Sequence, residues 1–183
     1  MKIGVFRCQG GWGLFVKAFE NLKVDYQFIN NPKDLQEVDA IVMHGGESSA
    51  QYLYFKNGGY FEAIKDFAQS GKIIFGTCAG IILLSNINTE RVKGLGLLDI
   101  EVERNYYGNQ IDSGIFKSDV GNEVEFLRAP RISKIGDVTV LDSHNKLPIL
   151  VRKGNVIGAT FHPELGELNK NNILVKLFCK KKR

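Results

Sequence analysis

The stretch from Lys72 to Leu84 reads KIIFGTCAGIILL, with a Gly-Thr-Cys-Ala-Gly turn between two apolar runs. Such a pattern is typical of a strand that turns sharply into a helix. Gly76 and Gly80 let the backbone turn tightly enough to lift the Cys78 side chain above the sheet edge. The helix N-terminus favours the thiolate, which at an ordinary pKa of about 8.5 is scarcely populated at neutral pH. The stretch predicts that Cys78 is a nucleophile; a buried structural thiol is the alternative.

Strand and helix patterns alternate around this turn. We predict strands at residues 2–6, 24–29, 40–43, 73–75 and 155–160, and helices at 14–22, 33–37 and 61–68. From Gly94 to Val151 the pattern changes to closely spaced strands at 97–104, 123–127 and 138–141, which predicts an antiparallel excursion. Short apolar strands alternating with helices are typical of a three-layer α/β fold: a flavodoxin-like, mostly parallel sheet with helices on both faces. The length of 183 residues favours a single domain over residues 1–183.

The composition excludes several classes of protein. Hydrophobic residues make up 44% and charged residues 24% of the chain, which is ordinary for a globular protein. Met1–Phe6 begins a strand pattern without a signal peptide, so we expect a cytoplasmic protein with no membrane span. The tail Lys180–Arg183 accounts for the net charge of +4, and no basic stripe suggests nucleic acid. Cys8, Cys78 and Cys179 lack the spacing of a disulfide framework or of a Cys-rich zinc site. We expect no metal and no cofactor.

The segment FHPE at residues 161–164 follows the last predicted strand. A cysteine nucleophile needs an imidazole to take its proton, and the imidazole needs a carboxylate or amide to fix its tautomer. Pro163 disfavours a helical conformation for His162, so that side chains two residues apart can point the same way. The pattern predicts His162 as the base and Glu164 as the group that orients it. A structural histidine is the alternative.

The loop HGGES at residues 44–48 follows the third predicted strand. Active sites of parallel sheets lie beyond the carboxyl ends of the strands, where this loop, the cysteine turn and the histidine segment all fall. We predict that the N–H groups of Gly46 and Ala79 form an oxyanion hole, with a plain diglycine turn as the alternative. His44 and His144 have no partner pattern, and no role is assigned to them.

These motifs resemble the class I, or triad, glutamine amidotransferases, and more narrowly the glutaminase subunits of pyridoxal 5′-phosphate synthase. The narrower resemblance rests on seven segments in the same order and at compatible spacing: GGES at 45–48, GTCAG at 76–80, LGLL at 95–98, VERN at 102–105, QIDS at 110–113, LRAP at 127–130 and FHPEL at 161–165. It implies that Cys78 attacks the glutamine side-chain amide, that His162 transfers the proton, and that Glu164 orients His162. A γ-glutamyl thioester would then form and be hydrolysed.

The resemblance also implies the ligand and the partner. L-glutamine would be bound by Gly46, Glu47, Ser48, Arg104, Leu127 and Arg128, and an arginine suits its carboxylate because the two can form paired hydrogen bonds. The ammonia would pass to a separate synthase subunit that makes pyridoxal 5′-phosphate from a pentose phosphate and a triose phosphate. That subunit would be a (β/α)₈ barrel in a ring, with one glutaminase on each barrel. The oxyanion hole would be completed only when the synthase docks.

The chain departs from the family pattern in two places. GWGLF at residues 11–15 replaces a stretch that is usually charged, and His44 replaces a proline. Two other functions fit the turn chemistry: a glutaminase that feeds another synthase, such as the one making imidazole glycerol phosphate, and a cysteine-elbow chaperone, deglycase-like or peptidase-like protein or regulatory binding module. The motifs around Arg104 and Arg128 favour the vitamin B6 subunit over the first, and the His-Pro-Glu segment argues against the second.

Overall fold

The computed structural model describes residues 1–104, 106 and 113–179. Its strands are β1 (Lys2–Phe6), β2 (Asp25–Ile29), β3 (Ala40–Met43), β4 (Ile73–Thr77), β5 (Ile100–Glu103), β6 (Gly114–Lys117), β7 (Glu123–Phe126), β8 (Arg131–Ile135), β9 (Thr139–His144), β10 (Leu147–Lys153) and β11 (Val156–Ala159). Its helices are α1 (Trp12–Leu22), α2 (Ser48–Asn57), α3 (Tyr60–Gln69), α4 (Ala79–Leu84) and α5 (Ile173–Phe178), with a 3₁₀ helix at Pro32–Glu37.

Seven strands form one sheet in the order β2-β1-β3-β4-β11-β10-β9. The first five are parallel to one another, whereas β10 and β9 pair antiparallel and close one edge. Two small antiparallel pairs, β5 with β8 and β6 with β7, complete the excursion. The predicted mostly parallel sheet with a small antiparallel excursion is confirmed.

Alternation along the strands divides the core into two layers. Successive side chains of a strand point to opposite faces, so Ile3 and Val5 of β1 pack on one face and Phe6 packs on the other. The Ile3 face is covered by α1 and α5, which contribute Phe15 and Phe178 among other residues. The opposite face is covered by α2, α3 and α4. Helices on both faces leave the carboxyl edge of the parallel strands open for a site.

The elements differ from the sequence prediction mainly in one helix and in the excursion. Helix α2 was not predicted, and it begins directly after the GGE loop, where the Glu47 side chain accepts a hydrogen bond from the Ser49 N–H and caps it. The strand predicted at 97–104 begins only at Ile100, and the one predicted at 138–141 extends to His144. Residues 105, 107–112 and 180–183, which include most of the QIDS motif and the basic tail, lie outside the described residues.

The sequence predicts no membrane span, and a spanning helix would have to be both long and apolar. Across the described ranges, each helix is too short or too polar to cross a bilayer.

Candidate active site

Cys78 lies between β4 and α4 in a backbone conformation that few residues other than glycine adopt, with φ 49° and ψ −105°. The neighbouring glycines explain how the turn fits. A Cβ on Gly80 would strike the carbonyl oxygen of Met43, and a Cβ on Gly76 would lie 2.5 Å from Leu84 Cδ1. The turn therefore packs so closely against β3 and α4 that only glycine fits two residues before and two residues after the cysteine. This tight turn places the Cys78 side chain in the lining of a cleft.

His162 follows β11 and is fixed at both its backbone and its ring. Its backbone N–H donates to the Glu125 carbonyl at 2.8 Å. Its ring Nδ1 lies 2.8 Å from Glu164 Oε1, and the Glu164 side chain is fully buried. Asn172 Nδ2 donates to the carbonyl of Pro163 at 2.9 Å and so holds the turn between the two side chains. A carboxylate facing Nδ1 places the proton of the neutral ring there and leaves the Nε2 lone pair free.

Cys78 and His162 influence each other directly. Burial alone lowers the pKa of His162, but the interactions with Cys78 and with the Glu164 carboxylate outweigh it and raise the pKa above its ordinary value. His162 Nε2 is buried and accepts no hydrogen bond of good geometry from the described residues. In ligand-free sites such contacts are often misaligned and tighten when substrate binds. The pair can exchange a proton, as nucleophilic thiol chemistry requires.

The diglycine loop passes over this pair. A Cβ on Gly45 would lie 3.4 Å from Cys78 Cβ and would strike the His162 ring. The N–H of Gly46 and the N–H of Ala79, the first residue of α4, donate no hydrogen bond within the part of the chain that the structure describes. An oxyanion needs unused donors of this kind beside the reacting sulfur, as the sequence predicts for Gly46 and Ala79.

A cleft joins these groups to most of the predicted substrate residues. It is lined by Gln9, Gly46, Glu47, Cys78, Leu127, Arg128 and His162. Arg104 lies at its rim, where Nη2 is 2.8 Å from Glu47 Oε1. Hydrogen bonds from Ser49, partly opposed by desolvation, lower the pKa of Glu47, and the charges of Arg104 and Arg128 lower it further. The cleft therefore combines the Cys78 thiol with cationic groups suited to a carboxylate.

The remaining predicted residues are placed as follows. Ser48 is buried at the start of α2 and is outside the cleft lining. Cys179 is half-buried at the end of α5. His144 contacts the Lys117 carbonyl through Nδ1, at 2.9 Å. Among the residues described, no group of three or more His, Cys, Asp or Glu side chains is arranged to hold a metal ion.

Four residues near the cleft were not among the predicted site residues. Gln9 accepts a hydrogen bond from the Glu47 N–H through Oε1, at 2.6 Å. Cys8 is buried, and its Sγ lies 3.4 Å from His44 Nε2, while Gln51 Nε2 lies 3.4 Å from His44 Nδ1. The only sequence signal for them was their position just after β1 and around the loop that follows β3.

Sequence comparisons extend over nearly the whole chain. A profile of the SNO glutamine amidotransferase family matches residues 5–182. A protein of Koribacter versatilis (strain Ellin345), named pyridoxal 5′-phosphate synthase subunit PdxT, is 40% identical and covers 97% of this chain and 95% of its own length. A protein of the same name from Thermosipho africanus (strain TCF52B) is 40% identical over 91% of this chain and 93% of its own.

Structural comparison gives a similar result. A crystal structure of a glutamine amidotransferase superposes with a TM-score of 0.81 and is 31% identical in sequence. The superposition covers 89% of this chain and 90% of that chain. The resemblance therefore includes the excursion as well as the central sheet.

Proposed function

The chain belongs to the SNO glutamine amidotransferase family, and from that premise we propose that Cys78, His162 and Glu164 are its catalytic triad. The observation that carries the proposal is a single cleft that brings together a thiol on a strained turn, a histidine facing a buried carboxylate, and two unused N–H groups. Nucleophilic attack on an amide requires each of these parts.

The activity is that of the glutaminase subunit of pyridoxal 5′-phosphate synthase, a glutamine amidotransferase of vitamin B6 biosynthesis. It converts L-glutamine into L-glutamate and ammonia. The relatives quoted above share one name, so they favour this function over a glutaminase of imidazole glycerol phosphate synthase or a cysteine-elbow chaperone or peptidase.

The proposed reaction has two halves. In the first, His162 Nε2 takes the Cys78 proton and the sulfur attacks the side-chain amide carbon. The developing oxyanion accepts hydrogen bonds from the Gly46 and Ala79 N–H groups, and removing one such donor typically costs about 10²–10³ in rate. The C–N bond then breaks as His162 returns the proton to the departing nitrogen, which leaves as ammonia. In the second half, His162 deprotonates a water, which hydrolyses the γ-glutamyl thioester and restores the thiol.

Substrate binding is proposed for Gly46, Glu47, Ser48, Arg104, Leu127 and Arg128. Arg128 lines the cleft beside Cys78, and its guanidinium suits the α-carboxylate of glutamine. Arg104 pairs with Glu47 at the rim and holds that side chain in place. Glu47 in turn supplies a negative charge for the α-amino group.

The proposed partner is a synthase subunit that receives the ammonia. We expect it to be a (β/α)₈ barrel assembled in a ring with one glutaminase per barrel, and we place the reaction in the cytoplasm. The synthase would consume the ammonia together with a pentose phosphate and a triose phosphate.

The test compares Cys78→Ala with Cys179→Ala, a matched cysteine variant at the half-buried end of α5. Glutamate release, measured with the synthase subunit present, should be lost in Cys78→Ala and retained in Cys179→Ala. Formation of pyridoxal 5′-phosphate by the Cys78→Ala complex should fail with glutamine and recover with ammonium chloride. Glutamate release by Cys78→Ala within a few-fold of wild type would refute the nucleophile.

A further inference from the structure

A buried polar cluster lies directly beneath the oxyanion loop. It consists of His44, which is 1% exposed, Gln51, which is 1% exposed, and Cys8, which is 7% exposed. His44 Nδ1 lies 2.8 Å from the carbonyl oxygen of Gly45, and its Nε2 lies 3.4 Å from Cys8 Sγ and 3.0 Å from the Phe6 carbonyl. The catalytic steps proposed above do not use this cluster.

The cluster surrounds one atom, the Gly45 carbonyl oxygen. The Gly11 N–H donates to it at 2.9 Å, the His44 ring faces it, and Gln51 Nε2 lies 3.4 Å away. A trans peptide is planar, so its N–H points opposite to its carbonyl. Because the Gly45 carbonyl is held on the side of Gly11 and His44, the Gly46 N–H is turned to the other side. That N–H is the proposed oxyanion donor.

The thiol of Cys8 supports a particular tautomer of His44. Burial raises the pKa of the Cys8 thiol to about 12, although a backbone hydrogen bond partly opposes this, so the thiol keeps its proton. Neutral His44 has one ring proton, and a carbonyl oxygen faces each ring nitrogen: Gly45 at 2.8 Å from Nδ1 and Phe6 at 3.0 Å from Nε2. The contact at Nδ1 is the shorter one, and a protonated Cys8 thiol can donate to Nε2, so we assign the ring proton to Nδ1, opposite the Gly45 carbonyl. Burial also lowers the pKa of His44, although its contacts with the Gly45 and Phe6 carbonyls partly oppose this, so the ring is neutral near pH 7.

The family resemblance implies an oxyanion hole that is completed only when the synthase docks. For this chain we propose instead that His44 is a positioning residue, which holds the Gly45 carbonyl away from the thiol and so presents the Gly46 N–H to the oxyanion in the free chain as well. This inference rests on the proposed glutaminase function. It concerns the loop alone: His44 touches neither the substrate nor the reacting atoms. It also gives a use to the residue that stands where the family pattern has a proline.

Two substitutions at residue 44 distinguish the role of Nδ1 from that of Nε2. Asparagine places its amide nitrogen where Nδ1 lies, whereas glutamine places its nitrogen nearer to Nε2. We expect His44→Gln to lower kcat for glutamine roughly tenfold, about the effect of one lost hydrogen bond on the balance between two loop orientations. KM should be unchanged, because the lost contact matters only in the transition state. His44→Asn should restore most of the lost kcat.

A second readout separates the loop from the triad. Alkylation of Cys78 by iodoacetamide requires the thiolate but develops no oxyanion, so its rate should match wild type in both variants. Equal kcat in the glutamine and asparagine variants would overturn the proposal, as would a parallel loss of alkylation rate. If wild type released no glutamate even with the synthase present, the proposed function would fail instead.

The Cys8 position provides a test in which His44 is retained, should the residue 44 variants not fold. Cys8→Ser keeps a donor for Nε2, whereas Cys8→Ala removes it and frees the ring proton to move toward the Phe6 carbonyl. We expect kcat to be lower in Cys8→Ala than in Cys8→Ser, with equal KM and equal Cys78 alkylation. Identical kcat in this pair would contradict the tautomer on which the proposal depends.

Discussion

Two cysteines near the cleft are almost equally buried but differ in chemistry. Cys8 is 7% exposed and Cys78 is 8% exposed. The surroundings of Cys8 are a histidine and the core, and burial raises the pKa of its thiol to about 12. Cys78 lines the cleft at the N-terminus of α4 and interacts with His162. Because the two cysteines are almost equally exposed, the groups next to each sulfur must account for any difference in reactivity between them.

We therefore predict that a limiting amount of iodoacetamide at about pH 7 modifies Cys78 at least roughly tenfold faster than Cys8, since only the thiolate reacts. Peptide mass spectrometry would measure both rates. Raising the solution to about pH 9 should leave Cys8 unmodified, because its raised pKa still lies above that value. The Cys78→Ala variant should lose the fast phase. Modification of Cys8 as fast as Cys78 would contradict the assignment.

The loop between β1 and α1 is shaped around the Gly45 carbonyl. Gly10 has φ 133°, a region that side chains rarely adopt, and a Cβ there would strike the Gly45 oxygen and lie 2.9 Å from His44 Nδ1. Gly13, three residues later in α1, has open space where its Cβ would be. The two glycines therefore form a matched pair within one short segment.

We predict that Gly10→Ala lowers kcat for glutamine by roughly tenfold or more, up to the 10²–10³ of a lost oxyanion donor, because the Gly45 carbonyl must move. Gly13→Ala should keep kcat and raise the unfolding midpoint slightly, since alanine favours a helix over glycine by about 1 kcal/mol. Steady-state kinetics and thermal unfolding of both variants make the comparison. Equal kcat in the two variants would show that the loop tolerates a displaced carbonyl.

The sequence predicted elements best where one physical signal dominated. β3 is wholly buried and wholly apolar, and its predicted bounds, 40–43, are the observed ones. Helix α2 was missed because Ser48 and Gln51 are buried in it, so its burial does not follow hydrophobicity. Short, half-exposed strands such as β6 were missed because four residues carry little periodicity.

The candidate site was predictable where spacing along the chain was short. His162 and Glu164 are two residues apart, so a single motif, FHPE, was enough to predict their contact. The contact between Cys8 and His44 spans 36 residues and exists because β1 lies beside β3 in the sheet. A local sequence pattern cannot show which strands are neighbours in a sheet. The sequence therefore did not predict that Cys8 and His44, which were assigned no catalytic role, would lie in one cluster.

At the scale of the whole molecule, the site is an edge where several strands end. Four loops meet there. The loop after β1 supplies groups around the Gly45 carbonyl, and the loop after β3 is the diglycine loop. The loop after β4 carries the Cys78 thiol, and the segment after β11 carries His162. The loop after β1 supplies the Gly11 N–H that donates to the Gly45 carbonyl at 2.9 Å. A docking partner that moved this loop would therefore change the contacts of the same carbonyl that His44 faces. If the synthase controls the loop from this side, its control and the proposed positioning by His44 would act on one peptide group.

This shared target predicts how the partner changes turnover. A partner that supplied a missing oxyanion donor would raise kcat by about 10²–10³. Because His44 already turns the Gly45 carbonyl away, we expect the wild-type chain to gain less than this from a saturating amount of the synthase subunit. His44→Gln should gain more, since docking would restore the orientation that the histidine provided, and His44→Asn should resemble wild type. The measurement is the ratio of kcat with and without the synthase for each chain. The same ratio in wild type and His44→Gln, or a wild-type chain nearly silent on its own, would show that the partner alone sets the loop.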